Sequence, residues 1–240
     1  MKILVTGASG FIGLPVVQSL LRKGHTILAL SRTLPDKAKY LEINWINADL
    51  DTHESYQDAI RTFSPEVAIH LAWQGIPDFS FEISKVNLEQ SLDLLSFVIS
   101  LETCRQILVA GSCWELNQLK GACLETSNGT SKDDFTWAKH ALRSWLEMEC
   151  ERKGIRMGWM RIFYAYGPRQ RSVSLVPSIL NSLQEGKSPQ LRTPLNANDF
   201  VYVDDVAEAF SKAVSQNVPS GIYHLGSGIS TQVLEVCRIA

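Results

Sequence analysis

The first thirteen residues, MKILVTGASGFIG, constrain the fold more than any other stretch of this chain. Ile3, Leu4 and Val5 form the short apolar run of a strand covered on both faces. Gly7, Gly10 and Gly13 follow at G-x-x-G-x-x-G spacing, and Ile12, Val16, Val17, Leu20 and Leu21 then share one helical face. Strand, glycine turn and helix in that order open a dinucleotide-binding βαβ unit. The glycines let the backbone approach a pyrophosphate, which lies against the unpaired N–H groups and positive dipole of the helix start. Pro15 falls in the first turn, where its missing N–H costs nothing, and Gly24 is placed to end the helix.

Strands and helices alternate from there on. Thr26–Leu30 reads as a second strand with Ser31 and Arg32 just past it, where such a unit meets the adenosine ribose. An acidic residue there suits a free 2′-hydroxyl, whereas Arg32 beside a hydroxyl suits a 2′-phosphate, so NADP is expected, with NAD as the alternative. Asn44–Ala48 is a third strand, ended by Asp49 and Leu50. Val67–Ala72 is a fourth, apolar except for His70, which reads as a satisfied core residue. Trp73 and Gly75 open a loop. Leu88, Leu92, Leu95 and Ile99 mark a buried helix with Asn87 at its start, and Gln106–Ala110 is a fifth strand running into Gly111-Ser112-Cys113-Trp114. A polar loop, Gly121–Lys132, precedes a helix from Phe135 to Arg152. Ile155–Phe163 is a sixth strand. Beyond Pro168 come a helix near Val176–Leu183 and a Pro- and Asn-bearing loop, Ser188–Asn198. Asp199–Asp205 returns to strand, with Asp204 or Asp205 capping a helix to about Val214. Gly221–Gly226 is a last strand, and Thr231 onward reads as helix. There is no internal repeat and no low-complexity segment.

The chain has 240 residues, enough for a sizeable core, and a formal charge of -2 with Lys and Arg scattered. That pattern offers no footprint for nucleic acid or an anionic membrane, and no apolar run is long enough to span a bilayer. With the first strand starting at residue 2 or 3, no signal peptide is expected. Cys104, Cys113, Cys123, Cys150 and Cys237 are odd in number and lack paired metal spacing, so reduced thiols, a cytoplasmic location and no metal are expected.

Five motifs in order, TGASGFIG at 6–13, ADL at 48–50, HLAW at 70–73, YGP at 166–168 and DFVYVDDVA at 199–207, run through essentially the whole chain. Together they resemble the extended short-chain dehydrogenase/reductases, most closely the NAD(P)-dependent epimerase/dehydratase branch that acts on nucleotide sugars. The resemblance implies an α/β fold with a doubly wound parallel (Rossmann) sheet over residues 1–167, to which 199–225 return. A small substrate lobe is expected from 168–198 and 226–240. Because the chain ends at Ala240 within a helix while family members continue, that lobe is expected to be open or incomplete. Ser9, Phe11, Ile12, Asp49, Leu50, Leu71, Ala72, Trp73 and Lys139 would join Gly7, Gly10, Gly13, Ser31 and Arg32 in holding the cofactor. Ser112 would polarise a sugar oxygen. The helices 88–99 and 135–152 would form a homodimer interface.

The resemblance also implies a Tyr-x-x-x-Lys pair, and here the sequence departs from it. Lys139 stands in the family context Trp-Ala-Lys, but Phe135 occupies the tyrosine position, four residues earlier on the same helical face. A phenol there would exchange a proton with the sugar oxygen; phenylalanine has none to give. Asn198 replaces the arginine that often precedes Asp-Phe in the late motif, and Arg192 is the nearby substitute. Ser112, Trp114, Arg192 and Asn198 are therefore the candidate substrate residues. The implied activity is hydride transfer on a nucleotide-linked sugar: 4-epimerisation, dehydration or 4-keto reduction. A catalytically weakened or silent dinucleotide-binding protein is the alternative that Phe135 favours.

Overall fold

The computed structural model describes residues 1–35, 42–116, 121–127, 129–216 and 218–240. Its centre is a seven-stranded sheet, parallel throughout. The strands are β1 (Lys2–Thr6), β2 (Thr26–Ser31), β3 (Asn44–Asn47), β4 (Val67–His70), β5 (Gln106–Ser112), β6 (Arg156–Ile162) and β9 (Gly221–Leu225). Their order across the sheet is β3-β2-β1-β4-β5-β6-β9. From β1 the chain steps outward through β2 and β3. It then crosses back to β4 and builds the other half, which puts the switch of direction between β1 and β4. Ligands of such sheets bind at that crevice, outside the carboxyl ends of the strands.

Helices cover both faces, which is why the inner strands are apolar without alternation. The side chains of β1 divide between two cores. Ile3 and Val5 pack with Val16, Val17 and Leu20 of α1 (Gly13–Arg22) and with Val206 and Phe210 of α6 (Val203–Ser215). Leu4 points to the opposite face, into the core built by α3 (Phe81–Ser100) and α4 (Asp134–Lys153). Leu20 is fully enclosed, and truncating it to Ala should cost about 2–5 kcal/mol. The short α2 (Gln57–Phe63) adds Ile60 to the second core.

A second sheet of three strands lies beyond the main one. It comprises β7 (Tyr164–Tyr166), β8 (Ala197–Tyr202) and β10 (Ser230–Gln232), with β8 in the middle. Between β7 and β8 runs α5 (Leu175–Gln184), and α7 (Val233–Ile239) follows β10. Four local expectations change here. The strand of the Asp199–Asp205 segment pairs with β7 and β10, outside the main sheet. The helix expected from Thr231 begins at Val233, because residues 230–232 pair with β8. Asp204 and Asp205 lie in the first turn of α6 and do not cap it; the N-cap is Tyr202. Asn87 is not the start of α3, which begins six residues earlier at Phe81.

Among the described residues no helix is long and apolar enough to cross a membrane, and no cluster of His, Cys, Asp or Glu is arranged to hold a metal. None of Cys104, Cys113, Cys123, Cys150 and Cys237 forms a disulfide among the described residues.

Candidate active site

The glycine turn between β1 and α1 needs its glycines for two separate reasons. Gly7 sits at φ +64, a conformation side chains resist, and a Cβ there would stand 2.7 Å from the Ala72 main-chain nitrogen. At Gly13 a Cβ would lie 2.1 Å from the Gly7 carbonyl oxygen. The loop therefore presses main chain against main chain. It closes with Gly10 N–H donating to Gly7 O at 3.0 Å and Leu14 N–H to Gly10 O at 3.1 Å. No side chain caps α1, whose N-cap is Ile12, so the N–H groups of its first turn have no side-chain acceptor.

This turn forms the floor of a cavity of about 240 Å³ at the switch of strand order. Gly7, Ser9 and Gly10 line it from the loop, Ser31 and Arg32 from the end of β2, and Asp49 and Leu50 from the end of β3. Leu71, Ala72 and Trp73, just past β4, form the opposite wall. Phe11, Ile12 and Gly13 lie behind it, at the helix start. Ser9 and Ser31 share a short hydroxyl–hydroxyl contact. Arg32 is exposed and donates from Nη1 to Gln74 Oε1 at 2.7 Å, reaching across the mouth from β2 to the β4–α3 loop. Arg169, after the Gly167-Pro168 turn, donates to Ser9 O at 3.3 Å. Neither Gln74 nor Arg169 was singled out by the sequence, although Arg169 directly follows the YGP motif.

His70 is buried in the wall and fully partnered. Thr6 Oγ1 lies 2.8 Å from its Nδ1 and Ser91 Oγ 2.9 Å from its Nε2. Burial, aided by the Lys139 charge, pushes it down to about 3, so it is neutral. Asn87, from the second turn of α3, accepts the Gln74 N–H at 2.7 Å and donates to Gln74 O at 3.1 Å. Its role is to pin the loop after β4.

The far end of the cavity meets a layer of rings. Phe135, 6 % exposed, stands edge-on to Trp73 with centroids 5.5 Å apart and packs on Phe79 at 5.1 Å. Phe79 in turn meets Trp114 at 5.2 Å. Beneath them Lys139 is buried, its Nζ donating to Ala110 O at 2.9 Å and lying 3.7 Å from the Trp73 ring centroid. Burial pulls this ammonium down to about 7, against the opposing pull of Glu115. Ser112 ends β5, and its Oγ accepts the Trp114 N–H at 3.2 Å. That bond uses a lone pair and leaves the hydroxyl proton free to donate. Phe135 and Lys139 thus both meet Trp73, which lines the cleft, and Ser112 follows two residues after the Ala110 carbonyl that holds Lys139.

The substrate-side candidates are less concentrated. Trp114 is exposed beside the ring layer. Asn198 pairs with Thr231 across β8 and β10 and lines a separate cavity of about 600 Å³, together with Cys123, Tyr164 and His224. Asp199 anchors the loop after β9, its carboxylate accepting the N–H groups of Ser227 at 2.7 Å and Gly228 at 2.9 Å. Arg192 is exposed on the loop before β8 and does not line the cleft.

Residues 3–226 match the family model described as the NAD dependent epimerase/dehydratase family. The chain is 25 % identical over 248 residues to the CDP-abequose synthase of Salmonella muenchen, covering 99 % of this chain and 79 % of that one. It is 25 % identical over 236 residues to the dTDP-6-deoxy-L-talose 4-dehydrogenase (NAD(+)) of Aggregatibacter actinomycetemcomitans, covering 95 % and 85 %. Among solved structures, it is similar to the UDP-glucose 4-epimerase of Thermus thermophilus in complex with NAD. There the TM-score is 0.85 at 25 % identity, over 99 % of this chain and 81 % of the other.

Proposed function

The chain belongs to the NAD dependent epimerase/dehydratase family, and from that premise we propose that it is an NAD(P)-dependent enzyme acting on a nucleotide-linked sugar. The observation that carries this reading is the glycine turn at the switch of strand order, where main chain packs on main chain and a Cβ at Gly7 or Gly13 would collide with backbone. Such a turn fits a pyrophosphate approaching main-chain N–H groups at the start of α1. When bound, the nicotinamide dinucleotide supplies hydride transfer at a sugar carbon, the step shared by 4-epimerisation, dehydration and 4-keto reduction. Gly7, Ser9, Gly10, Phe11, Ile12 and Gly13 hold the pyrophosphate side. Asp49 and Leu50 flank the adenine, and Leu71, Ala72 and Trp73 line the other wall. Ser31 and Arg32 receive a 2′-phosphate, which makes NADP the preferred form. Lys139 directs its remaining protons to the cofactor ribose. Ser112 donates its free hydroxyl proton to the sugar oxygen and polarises it. Trp114 borders the ring layer on the substrate side, whereas Asn198 lines the separate cavity and Arg192 stands outside the cleft.

One further observation favours a second reading. Phe135 has no proton to exchange, so the same cleft also suits a catalytically weakened or silent dinucleotide-binding protein. Calorimetric titration with NAD, NADH, NADP and NADPH, followed by incubation with UDP-, dTDP- and CDP-hexoses and NMR of the products, separates the two. Binding with turnover supports the enzyme, binding without turnover the silent protein, and no binding removes both.

The proposal includes a cytoplasmic homodimer. The adjoining α3 and α4 expose Phe81, Val86, Trp137 and Met148, and Phe81 stacks on Trp137 at 5.8 Å. A four-helix interface across a two-fold axis would cover them. Light scattering at micromolar concentration should give a dimer mass; a monomer removes this part. The proposal also divides the chain into a dinucleotide-binding unit, 1–167 with 199–225, and a substrate lobe, 168–198 with 226–240.

A further inference from the structure

Behind Ser112 lies a charged residue that the cleft does not expose. Glu115 ends the short 3-10 turn Cys113–Glu115 and is completely buried. Its Oε1 accepts the main-chain N–H of Ser112 at 2.7 Å. Its Oε2 accepts Trp159 Nε1 at 2.8 Å and Arg161 Nε at 3.4 Å. Arg161 is as deeply enclosed; its Nη1 donates to Ser127 O at 3.1 Å, and its Nη2 has no partner among the described residues. The fit is tight: a Cβ on Gly111 would lie 2.8 Å from Glu115 Oε1 and 2.3 Å from Trp159 Nε1.

A buried ion pair of this kind is costly to form, and an apolar pair of the same volume is often as stable or more so. Packing alone therefore does not account for it. What the carboxylate touches does. One oxygen holds the residue whose hydroxyl faces the site, and the negative charge lies beside the helix that carries Lys139. We infer that Glu115 is a positioning residue of this site, whose carboxylate fixes the Ser112 main chain and supplies a buried negative charge beside α4, the helix that carries Lys139. The inference rests on the proposed reading of the cleft and adds to it a residue that touches neither cofactor nor substrate.

The charges around Glu115 come from each neighbouring element: Arg161 from β6, Lys139, His140 and Arg143 from α4, His224 from β9 and the adjacent Cys113 thiol. Lys139 itself feels Glu115 and, from β4, His70, which is neutral. Burial alone would drive the lysine toward its uncharged amine, and Glu115 opposes that drift. Removing the carboxylate leaves burial unopposed.

The test is a pH titration of the free, full-length protein labelled with ¹³C at lysine Cε, with Lys139→Met identifying the resonance. The native chain should show one lysine with a midpoint near 7. In Glu115→Gln that midpoint should fall by ~1 pH unit, and the Ser112 amide proton should move upfield as its charged acceptor is lost. The paired variant Glu115→Gln/Arg161→Met removes both buried charges together, so it avoids stranding the guanidinium. It should show the same downward movement. An unmoved midpoint in a folded variant, or loss of the fold in both, overturns the inference. Because the titration needs no ligand, it stands apart from the cofactor assays. A native chain that takes up no dinucleotide would defeat the proposed function, while the lysine midpoint would still report on Glu115.

Discussion

The two ends of the cleft are built differently. At the glycine loop the wall is mostly main chain, held by contacts such as Gly7 against Ala72 that leave no space for a side chain. At the other end the wall is made of side chains, with Phe135, Trp73, Phe79 and Trp114 in ring contact over a buried lysine. In the proposed reading the first end recognises what any dinucleotide offers, a pyrophosphate and a ribose, with the glycine turn as its floor and the ends of β2, β3 and β4 as its walls. The second must match one reaction, and it collects residues from three separate segments: the β4–α3 loop, the end of β5, and α4. The departure from the family pattern falls at this second end. A protein can therefore keep the binding half intact while the reacting half changes, and the two halves should fail independently when mutated.

The largest expected change in turnover lies at the reacting end. Phe135→Tyr adds one oxygen on a ring that already packs beside Trp73, with the Lys139 ammonium 5.9 Å from the ring centroid. That cation favours the phenolate and draws its pKa toward the working pH. General acid–base catalysis of this kind contributes ~10²–10⁴-fold, so turnover of a nucleotide sugar should rise at least tenfold while cofactor affinity stays the same. Steady-state kinetics with matched calorimetry would decide it. A native chain that is already fast would mean that another group, such as Cys113 or a water held by Ser112, supplies the proton.

At the binding end the sharpest probe is Gly13→Ala. Its Cβ would meet the Gly7 carbonyl oxygen at 2.1 Å, a main-chain atom that cannot swing aside. Overpacking against backbone should cost ~3 kcal/mol, at the upper end of the usual range, and dinucleotide affinity should fall ~100-fold. Arg32→Ala should do less. It should weaken NADP by ~2 kcal/mol, the loss of one charge-assisted contact, and leave NAD nearly unchanged. Equal losses for the two cofactors in a fluorescence titration would remove the 2′-phosphate assignment.

The same contrast explains how much was legible in the sequence. The glycine spacing, the apolar strands and the amphipathic face of α1 are local patterns, and each specifies its own element. Ser112 and Lys139 are singled out by the family resemblance, and they stand at the end of β5 and on α4. What escaped depends on pairing between distant segments. β10 is three residues long and exists because β8 is beside it. Asn87 lies inside α3 and not at its start, and its polar side chain is there because its partner is Gln74 in the loop after β4. Arg161 as the partner of Glu115 is not local, although Glu115 itself stands at capping-box spacing, Ser112-Cys113-Trp114-Glu115, which was overlooked. The other usable signal was Arg161, a charge inside the strand Arg156–Ile162 that required a buried partner.

The smallest expected effect lies where the two ends join. His70 on β4 bridges Thr6, at the end of β1 beside the glycine loop, and Ser91 on α3. Burial lowers it from its ordinary 6.5 to about 3, so the folded state refuses a proton that the unfolded chain accepts below 6.5. The unfolded state therefore binds more protons between those two values, and stability rises with pH across that window and is lost as pH falls through it. Lys139, lowered to about 7 from 10.5, is charged in both states over most of the range below 6.5, and its own contribution lies above neutrality. Between pH 6.5 and 5.0 the loss due to His70 should be about 1–2 kcal/mol, read as a shift in urea midpoint at unchanged slope. His70→Gln keeps a polar side chain between Thr6 and Ser91 but cannot titrate, so its midpoint should move less over the same interval. If the variant and the native chain lose stability in parallel, the acid sensitivity comes from elsewhere, and His70 does not tie the binding end to α3 in the way its hydrogen bonds suggest.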